Sequence, residues 1–265
     1  MRFAPVRWLM KGPGRLSSGI NLGWKHGFDS GVMLDYIYQN RAQGFTPLGR
    51  LIDRCYLNAI GWRGICMRRK LLEYTLHSTI EQSHAAGRPV RLLDIASRPG
   101  RYVLETIHTL HKIPATAVLR DCKKENLDAA TRLRDQFGLA NVTVTRGDAF
   151  DRATLATVTP RPTIDIVSGI YELFPDNEQV LNSLLGLADA LEPGGFLIYT
   201  NQPWHPQVEF IARVLTNREG RPWIMRRRTQ AEMDDLLRNA GFEKVSQETD
   251  PWGIFTVSVA RRLGF

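Results

Sequence analysis

Val90-Arg91-Leu92-Leu93-Asp94-Ile95-Ala96-Ser97-Arg98-Pro99-Gly100-Arg101-Tyr102-Val103-Leu104 is the stretch whose reading decides the fold. An apolar strand ends on an acid, turns through a tight loop and enters a helix. That order is how an α/β sheet offers a nucleotide site. The loop lets backbone approach the ligand, and the helix start presents free N–H groups.

Downstream, strand and helix patterns alternate. Strands are predicted at 90–95, 115–119, 141–145, 164–169 and 196–200, and helices at 100–111, 125–137 and 176–191. The helix at 125–137 is stopped by Gly138, and that at 176–191 by Pro193-Gly194-Gly195. Thr229 and Glu232 form a capping box that opens a helix ending near Gly241. Two last strands, 242–247 and 254–260, have no helix between them and should pair antiparallel. The alternation predicts a doubly wound, mostly parallel sheet.

Upstream of Gly87-Arg88-Pro89 the pattern is helical. Residues 1–30 read as a loosely ordered lead-in, followed by a helix at 31–42. Leu48, Leu51, Ile52, Cys55 and Ala59 repeat at helical spacing, which predicts a helix burying that face. A third helix at 65–85 puts Leu72, Leu76 and Ile80 in register. The expected organisation is a basic helical extension over residues 1–86 and a nucleotide-binding domain over 87–265.

Composition narrows the class. With 43% hydrophobic and 23% charged residues in 265, the chain has enough apolar material for a large core. No apolar run approaches the ~18 residues of a membrane helix, and the first residues lack a signal-peptide stretch. Cys55, Cys66 and Cys122 are too scattered for a disulfide framework or zinc cluster, and the histidines form no ligand-spaced group, so no metal is expected. A reducing cytoplasm is the expected compartment. The net charge of +8 is uneven: residues 1–85 hold twelve Lys/Arg against five Asp/Glu. Such a segment suits an anionic membrane surface, a nucleic acid or an acidic partner.

The opening stretch resembles the first motif of class I S-adenosylmethionine (SAM) methyltransferases, acid-x-Gly-x-Gly-x-Gly. Asp94 is the acid and Gly100 the last glycine, while Ala96 and Arg98 stand at the first two glycine positions. Gly27–Tyr36, Tyr171–Asn177, Gln202–Pro206 and Arg226–Gln230 are similar to a group of bacterial methyltransferases. Some members of that group carry an α/β-hydrolase domain, whose Gly-x-Ser-x-Gly elbow is not found in this chain.

The resemblance implies a Rossmann-like seven-stranded sheet with an antiparallel last strand, SAM as cofactor, and methyl transfer to an acceptor. It places Asp94, Ala96, Arg98, Gly100 and Ser168 around the methionine end of the cofactor. Asp121 and Cys122 fall at the ribose, and Asp148 and Ala149 at the adenine. Arg98 could pair with the methionine carboxylate or block the site. Tyr171, Glu172 and His205 are the catalytic candidates, with Glu172 or His205 as general base. Trp204 offers a wall to the acceptor, and Arg226-Arg227-Arg228 a phosphate contact. A lipid-like or phosphate-bearing small molecule is the expected acceptor. The basic segment would act as a lid, on a protein that is cytoplasmic or peripheral at the membrane.

Two other readings stay open. Arg98 could make the chain a non-catalytic SAM-fold module. The basic balance could serve RNA methylation, although no Asn-Pro-Pro-aromatic or Asp-Pro-Pro-aromatic motif follows the fourth strand. A nicotinamide dehydrogenase fits less well, since no Gly-x-Gly-x-x-Gly follows the first strand.

Overall fold

The computed structural model describes residues 2–264. Its helices are α1 (Ala4–Lys11), α2 (Ser18–His26), α3 (Gly31–Gln39), α4 (Pro47–Leu57), α5 (Ile60–Ala85), α6 (Arg101–Thr109), α7 (Lys124–Gln136), α8 (Arg152–Ala156), α9 (Asn177–Ala190), α10 (Val208–Val214) and α11 (Gln230–Asn239). Its strands are β1 (Val90–Asp94), β2 (Ala115–Asp121), β3 (Val142–Arg146), β4 (Ile164–Val167), β5 (Phe196–Asn201), β6 (Phe242–Thr249) and β7 (Thr256–Arg262). Residues 1–30 read from sequence as a loose lead-in; of these, 2–30 are described and mostly helical. Ser17 caps α2 by accepting from the Ile20 amide at 3.0 Å.

The chain forms two compact units. One holds Met1–Met67 and Trp204–Met225, the other Arg68–Pro203 and Arg226–Phe265. This division differs from the boundary expected at 86/87. The reason lies in α5: Leu72, Leu76 and Ile80 are at most 1% exposed and belong to the core of the sheet unit.

In the sheet unit the strand order is β3-β2-β1-β4-β5-β7-β6. The first five are parallel, and β7 runs antiparallel to both β5 and β6. The fold is therefore the Rossmann-like, seven-stranded, mostly parallel sheet expected from the sequence. One face packs on α5, α6 and α7 through Leu76, Val103, Ile107 and Leu133. The other packs on α8, α9 and α11 through Leu155, Leu184, Leu187 and Leu237. Chain direction across the sheet reverses its order between β1 and β4, and their carboxyl ends open the crevice where such sheets bind ligands.

In the helical unit, α4 does not bury the face its periodicity suggested. Leu48 is 58% and Leu51 59% exposed, and Cys55 is also exposed. Gly49, Asp53 and Leu57 face inward instead. Asp53, fully buried, accepts four hydrogen bonds: from Ser17 Oγ (2.5 Å), the Gly19 amide (2.8 Å), Tyr36 Oη (2.5 Å) and the Gln43 amide (2.8 Å). A Cβ at Gly49 would meet the Leu16 carbonyl oxygen at 2.3 Å, so only glycine admits this approach. The polar anchor outranks the apolar stripe because a buried carboxylate needs its donors, while a leucine left exposed costs less.

Candidate active site

β1 carries the decisive carboxylate to the crevice. Asp94 is its last residue and is 1% exposed. Tyr102, in the first turn of α6, donates its hydroxyl to Asp94 Oδ2 at 2.5 Å. Oδ1 is buried and has no hydrogen-bond partner. Burial pushes the Asp94 carboxyl up to about 7, with the Tyr102 hydroxyl, the Ala96 amide and the Arg98 charge opposing it.

The loop that follows is pinned from β2. Asp121 Oδ2 accepts the Arg98 amide at 3.0 Å, while Oδ1 accepts the Lys123 amide (2.8 Å) and Asn126 Nδ2 (3.0 Å). The Ser97 amide donates a hydrogen bond to the Arg120 carbonyl oxygen at 2.9 Å. Gly100 takes φ +64° at the start of α6, and a Cβ there would meet Leu119 Cδ1 at 2.6 Å. Arg98 also has positive φ, +53°, a conformation that L residues adopt rarely. Its guanidinium crosses to the end of β4 and donates to the carbonyls of Ser168 (3.4 Å) and Gly169 (2.5 Å). Ser168 Oγ is buried without a hydrogen-bond partner. Asp94, Ala96, Arg98, Gly100, Asp121 and Ser168 thus converge at the carboxyl ends of β1, β2 and β4.

Beyond β3, Asp148 is exposed and caps its own turn, accepting the Phe150 amide at 3.0 Å. Ala149 is buried, and its carbonyl accepts Ser183 Oγ at 2.5 Å. Cys122 is exposed.

Each catalytic candidate has partners of its own. Tyr171 is 4% exposed and sits in the core against α9, its hydroxyl 3.0 Å from Ser183 Oγ. Burial raises that hydroxyl far above the ordinary tyrosine range. It acts as a packing residue, because an aromatic ring with a buried partner for its hydroxyl fits this core. Glu172 lies beside the crevice but pairs with Arg68 at 3.4 Å, both side chains being largely buried. His205 belongs to the helical unit, where Nδ1 accepts the Gln207 amide at 3.0 Å, closing a turn. Trp204, in the same unit, is half exposed.

The run Arg226–Arg228 does not present three cations to a phosphate. Arg228 is 1% exposed and donates to the carbonyls of Tyr171 (2.7 Å) and Phe174 (2.8 Å) and to Asn177 Oδ1 (2.7 Å). Arg226 pairs with Glu232, which leaves Arg227 exposed. The run is a clamp on the segment after β4.

Arg68 is the residue that sequence reasoning missed. It is 2% exposed, its guanidinium carbon lies 4.8 Å from the Phe255 ring centroid, and it borders Gly169. Only the arginine's place one turn before Leu72 in the buried register hinted at it. Gly169 has φ +65°, and a Cβ would meet Arg68 Nη1 at 2.8 Å. Gly169→Ala is expected to cost about 1–2 kcal/mol through left-handed backbone strain. Denaturant unfolding would show it, and an unchanged midpoint would refute it.

Over residues 1–262 the sequence matches the family described as “Putative methyltransferase”. The chain belongs to this methyltransferase family. YnbC, an uncharacterized protein of Escherichia coli strain K12, is 52% identical over 261 residues. The match covers 97% of this chain and 44% of YnbC, so the chain spans less than half of that relative. Among solved structures, a possible exported protein from Bordetella parapertussis superposes with TM-score 0.70 at 19% identity, covering 89% of this chain and 80% of that one. Magnesium protoporphyrin IX methyltransferase from Synechocystis PCC 6803, solved with bound SAH, gives TM-score 0.60 at 13% identity over 90% of this chain and 97% of that one. At such identities these two likenesses show a shared fold. The β1–β4 crevice, with Asp94 and Gly100 at its edge, lies within the residues that match the family.

Proposed function

We propose that this chain is a class I methyltransferase that uses SAM as methyl donor and an unidentified small-molecule acceptor. The observation that carries the reading is Asp94: a buried carboxylate with one oxygen unsatisfied, at the switch point of this sheet. A partnerless buried carboxylate oxygen is costly and implies a ligand that donates to it. Asp94 holds the amino group of the cofactor, Ser168 Oγ supplies a second polar contact, and Gly100 admits the backbone approach. Asp121 has one oxygen carrying a single bond, which leaves capacity for a ribose hydroxyl while it pins the loop. Asp148 and Ala149 border the adenine end, with Cys122 beside the ribose.

SAM supplies a sulfonium methyl electrophile. The residues contribute binding, orientation and exclusion of water. An acceptor oxygen or nitrogen must also lose a proton, and Glu172, the first carboxylate after β4 in sequence, is the candidate to take it. Its pairing with Arg68 orients the carboxylate.

Arg98 favours a second reading, a non-catalytic module, because its guanidinium already occupies the Ser168 and Gly169 carbonyls. Calorimetric titration separates the two. The methyltransferase reading expects SAM and its demethylated product to bind wild type in the micromolar range, with Arg98→Ala still binding. Binding by Arg98→Ala alone would show that Arg98 closes the site. No binding by either folded protein would overturn the assignment. Asp121→Ala is expected to lose at least tenfold in affinity, since it frees the loop and removes a carboxylate together.

A further inference from the structure

The helical unit shows outward what most soluble domains hide. Eight of the ten large hydrophobic side chains exposed among the described residues belong to it. Phe45, just before α4, is 71% exposed, and Leu48, Leu51 and Cys55 are exposed along the helix. On a helix of 3.6 residues per turn, Leu48, Leu51, Ile52 and Cys55 share one side, opposite Gly49, Asp53 and Leu57. The register is locked. Asp53 holds its four donors inward, and Gly49 lies against the Leu16 carbonyl, so α4 cannot rotate to bury its leucines.

Charge identifies the partner. Arg41, Arg50 and Arg54 are exposed; Arg54, three residues after Leu51, shares its side of α4, and Arg50 lies on the flank. The only acidic residue of α4 is Asp53, which is buried, so the outer surface of this helix is apolar and cationic alone. The helical unit as a whole holds twelve Lys/Arg against five Asp/Glu, while the sheet unit is nearly balanced at 23 against 22. Helix α1, which packs on the same Pro13–Leu16 turn as α4, exposes Val6, Trp8 and Leu9 and carries no acidic residue. No helix among the described residues is long and apolar enough to cross a membrane.

We propose that Phe45 and the outer face of α4 lie in the interface of an anionic phospholipid membrane, with Arg50 and Arg54 against the headgroups. Apolar side chains enter the headgroup–acyl boundary and arginines gain from the negative surface potential, the two contributions that hold interfacial helices. The inference stands independently of the methyltransferase reading.

Co-sedimentation with vesicles tests it. The chain is expected to pellet with vesicles of phosphatidylglycerol and phosphatidylcholine at low salt. Pure phosphatidylcholine should bind it at least tenfold more weakly, and so should the mixed vesicles in high salt. Arg50→Ala with Arg54→Ala should weaken binding by about fivefold per arginine. Phe45→Ser with Leu48→Ser and Leu51→Ser should abolish it. These positions are exposed, so circular dichroism and the melting temperature should stay near wild type. Absence of wild-type binding, or binding that survives the triple serine variant, would overturn the proposal. So would a concentration-dependent dimer that the triple variant dissolves, which would assign the face to a second copy of the chain.

Discussion

Asp94→Asn is expected to make the protein more stable at pH 8 while weakening SAM binding roughly 10- to 100-fold, the worth of a charge-assisted hydrogen bond. The two effects share one cause. In the folded chain burial raises this carboxyl to about 7, from an ordinary aspartate value of about 4. Between those values the folded state keeps a proton that the unfolded state has lost. Stability therefore falls as pH rises from about 4 to about 7, and stays at its lower value above that. About three pKa units correspond to roughly 4 kcal/mol at full effect. Asparagine removes the ionisation while keeping the shape and an acceptor for the Tyr102 hydroxyl, so its stability should be flatter across this window. Ligand binding should run the other way. An ammonium group on the ligand favours the ionised carboxylate, so wild-type affinity should climb up to about tenfold per unit toward pH 7 and then level off. Titrations from pH 5.5 to 8.5 on both proteins would show this. A variant that binds as wild type does, with the same pH profile, would make Asp94 a purely structural residue.

The sheet was legible because its signals are local. Asp94 and Gly100 mark the β1 end, Gly138 and Pro193 stop helices, and the missing helix between 247 and 254 announces the antiparallel pair. The convergence of Asp94, Asp121 and Ser168 followed from strand order. Side-chain roles were less legible, because they depend on partners far away in sequence. Nothing near Tyr171 indicates that Ser183 takes its hydroxyl, and nothing within Arg226–Arg228 indicates that Arg228 turns inward to the Tyr171 and Phe174 carbonyls. Arg68 paired with Glu172, 104 residues away, is the same case. The helical unit departed most from periodicity. Its α4 pattern was read correctly as a helix and wrongly as to side, because one aspartate outweighed three apolar residues.

That aspartate sets the second large expectation. Asp53→Ala should cost about 4 kcal/mol or more and melt the helical unit before the sheet unit. Alanine would strand two side-chain hydroxyls and two backbone amides, the Ser17 and Gly19 donors buried and the Tyr36 and Gln43 donors partly so, each losing a charged acceptor. A loss of this size is a large part of a domain's typical 5–15 kcal/mol. The donors come from the α2 cap, from α3 and from the segment before α4, so one deletion releases three junctions together. Burial first, and Asp53 second, also hold Tyr36 far above the ordinary tyrosine range. Asp53→Ala should therefore move the Tyr36 titration down toward the usual value in whatever folded population remains. Asp53→Asn keeps the volume but turns one acceptor into a donor facing donors, so it should recover less than half of the loss. Calorimetric melting of the three proteins would decide. A single transition within about 1 kcal/mol of wild type for Asp53→Ala would mean that water replaces the carboxylate, and that the inverted face of α4 is held by Gly49 and Leu57 packing instead.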